Sequence, residues 1–273
     1  MNHFLLVVVA LLLGGCATAT RQTDALMKNR AALPETSKLK ELPLIKQARN
    51  HCGPATMAMM LNHAGKNVSL VELNQQMFTE KAEGTFQSDM LSTARYQGML
   101  AIPINDMTSL LTEVSAGNPV VVFQNLGMSW WPKWHYAVVT GHDFRGPDIL
   151  LHSGNDKYQK TDMRFFERTW ILGERWGLLV LNPNQLSVTA NERTHVAAAA
   201  MLEGIGKLDE AQTSYQTILL RWPQSLAALI GLGNVTYARK KFQSSIDYLK
   251  KAVTFYPESA IAWHNLATVQ GEI

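Results

Sequence analysis

Charge is scarce in this sequence. Only 17% of its 273 residues are Asp, Glu, Lys or Arg, and 25 basic against 22 acidic side chains leave a formal net charge of +3. So weak a field excludes a nucleic-acid binder that depends on a basic surface. The apolar content of 47% excludes a disordered chain, which could not bury enough surface to fold. Cysteine is almost missing: two residues, Cys16 and Cys52, exclude a disulfide-stapled scaffold. Long apolar runs are missing too. The longest, Phe4 to Leu13, has ten residues, half of the ~20 that cross a bilayer. Neither a phosphate-cradling glycine loop nor a compact set of three metal ligands occurs, so no metal, cofactor or nucleic-acid partner is expected. What remains is enough apolar chain for one or two domains with real cores.

The apolar run at the amino terminus has the length of a secretion signal's core. Leu13-Gly14-Gly15-Cys16 resembles the bacterial lipobox, in which the cysteine is acylated and becomes the first residue after cleavage. The resemblance implies a signal peptide over 1–15, lipidation of Cys16 and stable anchoring by two or more acyl chains. The alternative is an ordinary signal peptide with an incidental cysteine. Ala17, where aspartate would signal retention, points to the outer membrane and a periplasm-facing protein of the cell envelope. Residues 16–41 read as a polar tether.

Residues 42–183 mix short helices with β-rich runs. Ser69-Leu70-Val71-Glu72 has capping-box spacing, and Ser88 to Gln97 and Thr108 to Ala116 read as helices stopped by Gly98 and Gly117. Runs such as Val120 to Phe123, Tyr136 to Val139, Ile149 to Leu151 and Leu178 to Leu181 are short, partly β-branched and bounded by Gly, Pro or Asn, as buried strands are. Helices first and strands afterwards make an α+β layout.

After Pro183 the strand signal ends. Shifting residues 192–273 by 34 sets Pro223 on Pro257, Leu208 on Phe242, Ala211 on Ser245, Tyr215 on Leu249 and Ile218 on Ala252. This period is similar to that of the tetratricopeptide repeat, in two full copies and a partial third that begins around Trp263. Such repeats are expected to present a concave face to a peptide or protein partner.

The chemistry sits in Gln47-Ala48-Arg49-Asn50-His51-Cys52-Gly53-Pro54-Ala55. Pro54 suits the first turn of a helix, which puts Cys52 at a helix amino terminus, where partial positive charge favours thiolate over thiol. The Cys52 amide and the Gln47 side chain can stabilise a developing oxyanion. Of eight histidines, His135 is the candidate base, because it opens a buried strand behind a loop bearing Trp130, Trp131 and Trp134. Those tryptophans would wall a peptide groove or pack between domains. His51 reads as an unremarkable surface residue.

Gln47-x4-Cys52-Gly53-Pro54-Ala55, followed by His135-Tyr136-Ala137-Val138-Val139-x-Gly141, resembles the bacteriocin-leader-processing (double-glycine, C39-like) cysteine peptidases and their stand-alone papain-like relatives. The resemblance implies a papain-like cysteine peptidase fold with Cys52 as nucleophile, His135 as base and Gln47 in the oxyanion hole, although the family sets that glutamine one residue further away. Those relatives cut after paired small residues. The family orients its histidine with an aspartate, which here falls near His152 or Ser153, neither of them a carboxylate. His152 ranks first by alignment and Asn155 second by chemistry.

The sequence therefore reads as an exported, lipid-anchored cysteine peptidase acting on a peptide or protein, with an all-α repeat region behind an α+β domain. The alternative is a non-catalytic peptide-binding or assembly lipoprotein on a degenerate peptidase fold, which the missing aspartate favours.

Overall fold

The computed structural model describes residues 20–30, 33–48 and 50–273. The expected signal peptide and Cys16 lie outside the described residues. No described helix is long and apolar enough to cross a membrane.

From Thr20 onward the expected tether is part of the folded body. Helix α1 (Arg21–Lys28) buries Thr23 and Leu26, and the buried Glu167 carboxylate accepts from the Gln22 and Thr23 amides at 3.1 and 2.8 Å. Two otherwise orphaned amides of the first turn are satisfied in this way. Strand β1 (Thr36–Lys38) then pairs with the far end of β4. Amphipathic pairing of this kind left no mark in a segment of mainly polar composition.

The helices α2 (Cys52–His63), α3 (Leu70–Met77) and α4 (Gln87–Tyr96) come before the sheet strands β2 (Leu100–Ile104), β3 (Val120–Asn125), β4 (Trp134–Asp143), β5 (Asp148–Ser153), β6 (Asp156–Asp162) and β7 (Gly177–Leu181). Helix α5 (Met107–Ser115) follows β2, and α6 (Met163–Leu172) lies between β6 and β7. Ser69 caps α3 by accepting from the Glu72 amide at 3.1 Å, as its spacing predicts. The sheet order is β2-β7-β3-β4-β5-β6, with every pairing antiparallel.

Strand alternation divides the core into two layers. Val121, Tyr136, Val138, Leu178 and Val180 face α2, α3 and α4, while Val120, Val122, Ala137, Val139 and Leu179 face α1, α5 and α6. Helix α2 is enclosed on all sides, with every residue from Gly53 to Leu61 buried. A helix apolar all round belongs in a core, and this one fixes the position of its first residue, Cys52, against the sheet.

Behind β7, five helices follow: α7 (Glu192–Gly204), α8 (Leu208–Arg221), α9 (Leu226–Ala238), α10 (Phe242–Phe255) and α11 (Ala260–Gln270). Their starts recur every 34 residues, at Glu192, Leu226 and Ala260 and again at Leu208 and Phe242. The caps recur with them: Asn191, Ser225 and Ser259 each accept from a backbone amide in the first turn. Close approach is bought with small residues, since a Cβ on Gly233 would lie 2.7 Å from Leu249 Cγ and one on Gly231 would enter the Tyr215 ring. Ala198, Ala199, Leu202 and Tyr215 join the same core as the outer face of the sheet, so the helices are packed on the α/β body.

Candidate active site

Cys52 opens α2, half-buried, and is a free thiol. The turn into the helix passes through Asn50 at φ 65°, a left-handed conformation that asparagine tolerates better than most side chains. Its Nδ2 donates to Glu83 Oε2 at 3.4 Å. His51 is not a bare surface residue: its ring stacks on Phe78 with centroids 4.5 Å apart, and Nδ1 meets Asn74 Oδ1 at 2.8 Å. It thereby holds the turn and is directed away from catalysis. Gly53 is required by packing, because a Cβ there would lie 2.5 Å from Thr85 Cβ.

The amides of Tyr136, Gly53 and Cys52 point at the Cys52 sulfur and favour its thiolate, yet burial outweighs them and pushes the thiol up. His135, the residue before Tyr136, is the second residue of β4 and stands opposite Gln124. Burial, reinforced by nearby Lys133, pulls its imidazole down to about 4. Both shifts favour the neutral forms, so the unliganded site rests as thiol and imidazole. The thiolate expected from the helix dipole is thus overturned by desolvation, which sequence alone does not reveal.

His135 Nε2 lies 2.9 Å from Ser153 Oγ. Register explains the choice of partner. His152 pairs with Val138 and so shares Val138's face of the sheet. Ser153, one residue on, turns to the opposite face, which His135 occupies on the neighbouring strand. His152, first choice for the orienting group, is instead fully buried against the edge of the Tyr158 ring, with its pKa lowered to about 4 chiefly by burial. Asn155, the second choice, is occupied elsewhere: its Oδ1 accepts from the backbone N–H of Gln47 at 3.2 Å. Neither reaches His135. That bond pins the Gln47 segment beside the cleft, where Gln47 lines the same cavity as Cys52 and His135.

Two cavities meet at Cys52. One, of about 480 Å³, runs past Glu83, Thr85, Phe86, Phe123 and Tyr136. The other, of about 820 Å³, contains Gln47, His135, Ser153 and Asn155. Asn50, Cys52, Pro132, Lys133 and Trp134 border both. The tryptophans divide accordingly. Trp134 stacks on Phe123 at 5.1 Å and walls the cleft, Trp131 lines the larger cavity, and Trp130 projects into solvent. None of them lies in the core that joins the sheet to the helices. Asn50 and the Tyr136 amide escaped sequence reasoning, and Ser153 figured in it only as a place where the carboxylate is missing. Only Ser153 had a usable signal, the alternation that pairs it with His135's face once the β4–β5 register is known.

A buried helix that presents a thiol at its amino terminus, laid on an antiparallel sheet that presents an imidazole, defines a domain of the cysteine-peptidase class. The chain belongs to the peptidase C39-like family, whose model matches residues 39–175. Among solved structures, a Bacillus anthracis protein described as a C39-like peptidase is similar at 17% identity and a TM-score of 0.46, covering 56% of this chain and 100% of the other. A double-glycine-motif protease of an AMS/PCAT transporter, in complex with a leader peptide, is 22% identical with a TM-score of 0.41 over 53% of this chain and 92% of that one. The peptidase domain of Streptococcus ComA, a bifunctional ABC transporter of a quorum-sensing pathway, is 22% identical with a TM-score of 0.39, covering 52% and 97%. Comparison with curated proteins finds no match.

Proposed function

We propose that the protein is a cysteine peptidase of the bacterial envelope, and the observation that carries this is the shared cavity in which Cys52, at a helix amino terminus, and His135, held by Ser153, both stand. His135 takes the Sγ proton as the sulfur attacks the scissile carbonyl, and an S–C bond forms. The Cys52 amide and the Gln47 side chain stabilise the oxyanion. Collapse breaks the C–N bond, and the imidazolium gives its proton to the leaving amine. Water, deprotonated by His135, then releases the acyl group as a carboxylic acid and restores the thiol.

The leaving amine must lie within hydrogen-bond reach of His135. The carboxy-terminal half of a substrate therefore occupies the larger cavity and the acyl half the smaller one. In this reading residues 1–15 are a signal peptide, Cys16 carries the lipid, residues 42–183 form the peptidase domain, and 192–273 are tetratricopeptide repeats that bind a peptide or protein. The 34-residue recurrence of helices and caps supports the last point.

A second reading, a peptide-binding lipoprotein without activity, is favoured by one observation: His135 is oriented by a hydroxyl rather than a carboxylate. Incubating the protein and its Cys52→Ala variant with a peptide library made from envelope proteins decides between them. New termini that appear with the unsubstituted protein alone establish the peptidase. Peptides retained uncut by both establish the binding reading.

A further inference from the structure

The β3–β4 hairpin is rigid in its backbone and apolar in its side chains. Leu126 and Lys133 pair across it, and Met128 and Trp131 exchange both backbone hydrogen bonds at 3.1 Å. Below the tip the buried Asn125 accepts from the Gly127 and Lys133 amides at 2.9 and 2.8 Å and donates to the Met128 carbonyl. With its backbone satisfied, the tip holds Trp130 and Trp131 79% exposed each and Met128 57% exposed. Between Asn125 and Trp134 the sequence holds no acidic residue and one cation, Lys133. Tryptophan beside lysine, with no carboxylate in the hairpin itself and the nearest ones, Glu83 and Asp156, set back in the cavities behind it, is the composition that sits at a bilayer interface.

The chain's approach to the fold points the same way. Gln22 Oε1 accepts from the Met107 amide at 2.8 Å, just beyond Ile104, which shares Gly177 as partner with Val122 of β3. That is the end of the sheet from which the hairpin projects. The same turn of α1 also touches the opposite end, with Thr23 Oγ1 donating to the Met163 carbonyl and Asp24 paired with Arg164, and Arg30 continues there to the Phe144 carbonyl. The first turn of α1 thus lies between the two ends of the sheet, within side-chain reach of the hairpin's end. Cys16 precedes Thr20 by four residues, at most about 14 Å of extended chain.

We infer that the Trp130–Trp131 hairpin inserts into the bilayer interface, so that the cleft opens toward the membrane and receives polypeptide segments lying at or emerging from the lipid surface. The inference rests on the anchor at Cys16 proposed above and is independent of catalysis.

The test uses the full chain, processed in bacterial cells and reconstituted in phosphatidylethanolamine/phosphatidylglycerol (3:1) vesicles with or without dibrominated acyl chains. Flotation reports the anchor, and bromine quenching of tryptophan reports insertion. The expected result is flotation with strong quenching for the unsubstituted protein. A Trp130→Ser/Trp131→Ser variant should float equally and lose most of that quenching, and Cys16→Ser should lose most of the flotation. Equal quenching of the protein and its tryptophan variant, with both on the vesicles, overturns the inference and leaves the anchor standing. Failure of the unsubstituted protein to float overturns the anchor and the inference with it. A concentration-dependent mass that the tryptophan variant abolishes would give the hairpin to a second copy of the chain and also overturn it.

Discussion

Ser153 offers its hydroxyl to His135 Nε2 at 2.9 Å, from the strand position where the family's aspartate would be aligned or one residue away. A hydroxyl can orient the ring and fix a tautomer, but it supplies no charge to stabilise imidazolium. Ser153→Ala should therefore lower kcat/KM for a cleaved peptide by about two- to tenfold, the worth of one neutral hydrogen bond. Ser153→Asp supplies the charge. It should raise the imidazole from about 4 and move the acid limb of the kcat/KM profile to higher pH. An unmoved acid limb in the aspartate variant would show that Nε2 is not directed at this position.

The resting state makes a second, independent forecast. With the thiol pushed up and the imidazole pulled down by burial, the thiolate is a minor species at neutral pH. Iodoacetamide should alkylate Cys52 more slowly than free cysteine at pH 7, with a rate that climbs into the alkaline range. A peptidyl chloromethyl ketone, which occupies the cleft and recruits His135, should react readily at pH 7. His135→Ala should slow that reagent by about 10²- to 10⁴-fold and leave alkaline iodoacetamide alkylation within a few-fold. Rapid iodoacetamide alkylation at pH 6 would instead reveal a preformed ion pair.

How far the molecule could be read from its sequence follows the physics of each part. Cys52 and Pro54 announced their helix because the first turn tolerates a missing amide. The helical region announced itself because close packing demands small residues at recurring positions, as at Gly233 against Leu249. Strand β6, Asp-Lys-Tyr-Gln-Lys-Thr-Asp, has no apolar alternation because it is an exposed sheet edge. Its strandness comes entirely from pairing with β5. Ser153 was passed over in favour of His152 because alignment counts residues, whereas the sheet assigns faces, and a one-residue offset reverses the face. The neutral resting pair was hidden for a similar reason: desolvation belongs to the packed core, and the helix dipole alone could be read in advance.

Three buried histidines and the half-buried His135 should make the fold acid-sensitive. Burial lowers His135 and His152 to about 4 and also depresses His142 and His195. In the unfolded chain each takes up its proton near pH 6.5. Between pH 6.5 and about 4 the unfolded state therefore binds more protons, and stability falls as the pH falls. Urea midpoints should decline steadily over that window and level off above pH 7. His152→Leu should flatten the decline and cost little at pH 7, since the ring nitrogens it removes make no well-formed hydrogen bond beyond a weak approach to the Pro43 backbone. A midpoint unchanged from pH 7 to 5 would contradict the depressed histidines.

The join between sheet and helices depends on one carboxylate. Glu113, fully buried on α5, accepts from Ser187 Oγ at 2.5 Å, from the Thr189 amide and hydroxyl at 2.9 and 2.7 Å, and from Asn118 Nδ2 at 2.7 Å. Ser187 in turn offers its carbonyl to Arg221 Nη1 at 2.9 Å, at the end of α8. A buried charge is tolerated only when its lone pairs are filled, and here filling them fastens the 183–190 segment to the domain on one side and to the helices on the other. Glu113→Ala strips four donors of their acceptor at once and should cost about 3–5 kcal/mol, measured by urea unfolding. Glu113→Gln keeps an oxygen for Ser187 and Thr189 and should cost about 1–2 kcal/mol. If the segment is held mainly by this carboxylate, limited proteolysis of the alanine variant should cut within 183–190 well before the unsubstituted protein is cut there. Equal resistance would place the strength of the join in the apolar contacts of Ala198, Ala199 and Leu202 instead.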